Sequence, residues 1–151
     1  MGASKSDALT TPRGRRRFCY DRPMTTSEID VPGVFADADE MYAAALERLA
    51  AGDIRDAAEK AWCAALQATN GLILARTGEL PPGLPDTTRG LRATAVIEPA
   101  VRDLRDQYLT RREVLHGDCF YTGLCEPIED TARLIRETAG YIEQARRLAA
   151  A

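Results

Sequence analysis

The stretch from Ile54 to Thr77 constrains the fold most, because apolar residues cover most of the circumference of the helix it would form and alanine dominates them. A helix with no wide polar face has to be buried on nearly every side, so this one predicts the centre of an assembly of helices. Its alanines let neighbouring helices approach closely. Asp53 is placed to cap it through its carboxylate, and Gly78 to end it.

Amphipathic helices surround that centre in the sequence. Met41, Tyr42, Ala45, Leu46 and Leu49 recur at helical spacing and predict a helix from about Ala36 to Ala51. Pro81, Pro82, Gly83 and Pro85 mark a loop. A shorter helix is expected from Thr87 to Val96, capped by Asp86. Pro99 suits the first turn of the next, which carries Val101, Leu104, Tyr108 and Leu115 on one side and is expected to stop at Gly117. Pro127 opens the last, with a stripe of Ile128, Ala132, Ile135, Ala139 and Ile142. The sequence therefore predicts an all-α, antiparallel four/five-helix bundle at 31–151. Hydrophobic residues are 45% of the 151 and aromatics only 6%, which favours helices over a sheet rich in β-branched and aromatic side chains.

Residues 1–30 are rich in Ser, Thr, Pro, Gly and Arg without apolar period, and read as a disordered basic tail. Met24-Thr25-Thr26-Ser27-Glu28 resembles a bacterial protein start, so Met24 is a candidate true start. Six basic residues against two acidic ones give the first 26 residues a charge of +4, which leaves −7 on the remaining 125 of a chain whose net charge is −3. An acidic body argues against nucleic-acid binding over the whole surface and leaves room for a local basic cleft.

Cys19, Cys63, Cys119 and Cys125 form no CxxC pair and accompany one histidine, a poor donor set for a four-ligand zinc site, so no metal and no cofactor are expected. No run approaches the roughly 20 apolar residues of a membrane span. A cytoplasmic protein with reduced thiols is the resulting expectation.

The chemistry-bearing cluster is Arg111-Arg112-Glu113-Val114-Leu115-His116-Gly117. Histidine moves protons near neutral pH and arginine holds phosphate. On an ideal α-helix Arg112 lies about 40° from His116 and Arg111 about 140°, so helical geometry favours Arg112 as the neighbour. Tyr121, five residues beyond His116, is a candidate to orient the imidazole or bind phosphate. Trp62 and Tyr108 are expected in the core.

Two segments carry a family resemblance. Gly52-Asp53 followed by Ala57, then Glu59-Lys60-Ala61-Trp62 and Ala64-Ala65, and later Leu115-His116 followed by Phe120-Tyr121, resemble the two signatures of PaREP-type proteins, a branch of the HEPN helical-bundle superfamily. This chain has three residues between His116 and Phe120 where the family pattern usually has two. The resemblance implies a bundle over roughly Ala36 to Leu148. It implies, for the superfamily's nucleases, a metal-independent endoribonuclease with an arginine, four to six residues and a histidine at a homodimer cleft. Arg111, Arg112, His116 and Tyr121 are then the candidate catalytic residues, and RNA the substrate of an RNA-processing or toxin–antitoxin protein. The alternative is a non-catalytic interaction module, as in HEPN domains that partner a nucleotidyltransferase.

Overall fold

The computed structural model describes residues 29–151, and within them every regular element is helical. The expectations for residues 1–28, the basic tail and the start at Met24, lie outside the described residues. Helix α1 spans Val31–Ala50, beginning five residues earlier than the apolar spacing suggests. The reason is local: Asp30 accepts a hydrogen bond from the Gly33 amide at 2.7 Å, and Pro32 occupies the first turn, where its missing N–H costs nothing. Helix α2 spans Ile54–Thr77, between a capping Asp53 and Gly78 in the left-handed conformation (φ 81°), as its sequence predicts. Three residues join α1 to α2, so the two lie side by side and antiparallel.

Helix α2 is the hub, packed by every other helix. Ala57, Ala58, Ala61, Ala64, Ala65 and Ala68 have no exposed surface. Gly71 permits the closest approach of α1: a Cβ there would stand 2.7 Å from the Phe35 ring. Trp62 and Tyr108 are buried in the core, as expected from their apolar patterns.

Helix α3 (Leu84–Ile97) starts three residues before the expected position, with Gly83 rather than Asp86 at its cap. Pro85 falls in its first turn, so the last proline of the apparent loop belongs to the helix. A 3₁₀ turn at Pro99–Val101 leads into α4 (Arg102–Arg111). The chain then widens into a π-helical segment, Arg112–Tyr121, instead of stopping at Gly117. The last helix is two: α5 (Ile128–Arg136) and α6 (Thr138–Ala150), parted at Glu137. The break shifts the buried phase, so Thr138 is buried and Ala139 exposed, while Ile128 at the start of the predicted stripe is 45% exposed. At the far end of the bundle Arg76 pairs with Glu98 at 2.7 Å and donates to the Leu148 carbonyl at 2.7 Å, tying α2 to the end of α3 and the last turn of α6. Among the described residues, no helix is long and apolar enough to cross a membrane.

Candidate functional site: a histidine–glutamate pair on a π-helical segment

Arg55, Glu59 and Trp62 recur at spacings of four and three along α2, so they share one face, and the π-helical segment packs on it. A π-helix closes its hydrogen bonds between residues five apart, as in the Thr122 amide to the Gly117 carbonyl at 3.2 Å, and therefore sets residues five apart side by side. His116 and Tyr121 are such a pair. Their rings meet edge to face at 4.9 Å, and Phe120 stacks on the imidazole at 6.3 Å. Trp62 forms the inner wall at 5.6 Å.

The imidazole Nδ1 is 2.8 Å from Glu59 Oε1. With the carboxylate ionised, Nδ1–H donates to it, and Nε2 carries the lone pair. Nε2 has no hydrogen bond among the described residues, and the His116 side chain keeps 20% exposure against 4% for Glu59. Burial pushes the Glu59 carboxyl up from its ordinary range, opposed by the hydrogen bond and charge of His116. The folded chain thus holds the Glu59 proton more tightly than the unfolded chain does. The stability this group contributes is present below the unfolded value and is lost as pH rises through the folded one. Glu59→Gln should flatten that dependence upward from the ordinary carboxylate range, which thermal midpoints of variant and wild type measured against pH will check; parallel curves would contradict the assignment.

The far end of the segment is fastened twice. Arg55 donates to the Phe120 carbonyl through Nε at 3.1 Å and to the Tyr121 carbonyl through Nη2 at 3.3 Å, satisfying acceptors that a helix end leaves orphaned. Gly123 then turns the chain at φ 76°, a left-handed conformation in which any side chain would be strained. Just beyond, Cys125 is bonded to Cys119 (S–S 2.07 Å), which corrects the expectation of reduced thiols. The turn at Gly123 brings their Cα atoms to 4.3 Å, at the short edge of the separations a disulfide spans. Replacing both cysteines by alanine removes the closure of a short loop, expected to cost about 2 kcal/mol and to lower the thermal midpoint by several degrees. An unchanged midpoint would leave the bond without a stabilising role.

The predicted site residues separate in the structure. Tyr121 stands against His116 with 67% of its surface exposed, and its hydroxyl has no hydrogen bond among the described residues. Arg111 lies elsewhere: it is buried, donates from Nε to Thr138 Oγ1 at 3.1 Å and from Nη1 to the Gln107 carbonyl at 3.3 Å, and covers the Tyr141 ring at 5.3 Å. Among the described residues none of these is a hydrogen-bond or ring partner of His116. Burial pushes the Arg111 pKa down, with Tyr141 and Glu137 opposing the shift. Arg112 points to a third place, a groove shared with α3. Sequence reasoning missed the partner of the imidazole, Glu59. Its signal was an acid in the alanine-rich phase of a helix whose other buried positions from Ala57 to Ala68 are apolar. No protein family, curated protein or solved structure matches this chain.

Proposed function

We infer that this protein is a metal-independent endoribonuclease or RNA-processing protein whose proton carrier is His116. The observation that carries the reading is the 2.8 Å contact between His116 Nδ1 and the buried Glu59, which orients a partly exposed imidazole with its second nitrogen free. Nε2 removes the proton from a ribose 2′-hydroxyl as O2′ bonds to phosphorus. The P–O5′ bond breaks, and the imidazolium returns the proton to the departing 5′-oxygen, leaving a 2′,3′-cyclic phosphate. Glu59 positions the ring, and Tyr121, exposed beside it, assists at the phosphate. The resemblance to the HEPN superfamily supports this reading, with Arg111 removed from the catalytic set because its guanidinium is spent inside the bundle.

In this reading the protein is a homodimer, and exposed Tyr121, Leu124 and Ile128 supply apolar surface for the second copy. The same surface favours the rival reading, a non-catalytic module bound to a nucleotidyltransferase in a toxin–antitoxin pair. Incubating the purified full chain with varied single-stranded RNAs in EDTA separates them. Products ending in cyclic phosphate are expected, and a folded protein that cuts none of the RNAs decides for the interaction module.

A further inference from the structure

A groove of about 440 Å³ runs between α3 and the start of the π-helical segment, lined by Leu84, Pro85, Thr88, Arg89, Arg92 and Arg112. Three of these six residues are arginines and none is acidic, on a body that otherwise carries excess negative charge. Arg89 is bridged by Asp86 at 2.8 Å, whereas Arg92 and Arg112 make no ion pair among the described residues. Pro85, Thr88, Arg89 and Arg92 follow one another at helical spacing, so the cations form a row along α3 that Arg112 faces from across the groove. The floor is rigid. Thr88 and Tyr108 share a hydrogen bond at 2.7 Å, and the Tyr108 ring lies 5.1 Å from Trp62, the inner wall of the His116 site.

We propose that the Arg89–Arg92–Arg112 groove binds the phosphodiester backbone of a single-stranded nucleic acid and feeds it to His116. This rests on the nuclease reading for the purpose of the groove, though not for its existence. Guanidiniums in a row, two of them without an ion pair among the described residues, are suited to successive phosphates, since each offers a planar fork of donors to two oxygens, and a phosphate at Arg89 competes with Asp86 for its guanidinium. Arg112 precedes His116 by four residues on the same segment, so the groove's end at Arg112 and the imidazole stand about one helical turn apart along it, a short span for a strand to bridge. Contacts from guanidinium to phosphate carry no sequence information, so the groove holds the strand without selecting sequence.

The test measures binding and cleavage separately. A fluorescent 12-nucleotide uridine-rich RNA is titrated with full-length His116→Ala protein across about 50 to 300 mM salt. The same is done after adding Arg89→Gln, Arg92→Gln and Arg112→Gln together, with Arg133→Gln on α5 as control. Because Arg13 and Arg15 to Arg17 add their own salt-dependent attraction, the readout is the change in slope of log affinity against log salt. Three lost phosphate contacts on a single strand should flatten that slope by about 2, each single change by about 0.7, and the control should leave it alone. Equal binding of DNA of the same sequence supports recognition of the phosphodiester. An unchanged slope in the triple variant overturns the groove, as does polyglutamate competing as well as RNA. Groove-dependent binding with no cleavage by the wild type removes the nuclease reading and keeps the groove. Cleavage lost in His116→Ala, with binding indifferent to the three arginines, does the reverse.

Discussion

His116→Ala is expected to slow RNA cleavage by about 100- to 10,000-fold, the range that positioned acid–base groups contribute. The imidazole supplies the one proton-carrying nitrogen in the cluster that has no hydrogen bond among the described residues, and its removal leaves Glu59 buried without that partner. His116→Asn keeps a donor to Glu59 while removing the base, and so separates catalysis from packing: it should be as inactive as the alanine variant and closer to wild type in thermal midpoint. Glu59→Gln leaves the imidazole in place without a carboxylate to fix its tautomer, so its loss of rate should be smaller. Arg111→Ala is expected to act as a stability variant, since it removes the partner of Thr138 and the cation over Tyr141. Cleavage by His116→Ala within tenfold of wild type would place the active centre elsewhere.

Trp62→Ala should cost about 3–5 kcal/mol, by loss of apolar contact and by the cavity left behind. Trp62 is 1% exposed on the hub helix, between Tyr108 and the His116 ring. Flanking alanines are already as small as a side chain can be without becoming glycine, and cannot move to refill the space. A fall in thermal midpoint of roughly 10 to 20 °C is expected for a domain of this size, with Trp62→Phe recovering much of it. A loss below about 1 kcal/mol would mean that the core tolerates the void, contrary to the packing seen around α2.

Helix α2 was legible to its ends because capping is local chemistry: Asp53 and Gly78 act within a turn of where they stand. The first turn of α1 carried the same kind of signal in Asp30 and Pro32, hidden by weighing only the apolar spacing beyond Ala36. The split at Glu137 was not legible. Ile128 to Ile142 keep an unbroken helical spacing, and what selects Thr138 over Ala139 for burial is Arg111, 27 residues earlier, which needs the threonine hydroxyl. The same distance problem governs the site. A lone histidine beside arginines could be singled out by composition, but its ring is held by a carboxylate 57 residues away. Placing Arg111 and Arg112 relative to it also required knowing that the helix widens at Arg112. Apolar spacing cannot announce that change, because Leu115 and Cys119, buried in the segment, stand four apart as they would in an α-helix.

The chain holds a single tryptophan, and its ring centre lies 5.6 Å from that of the one histidine. No second tryptophan dilutes its emission. The molecule therefore carries its own optical gauge: light from Trp62 reports on the surroundings of His116, so that a substitution there or an occupant against the ring is read without a label being attached.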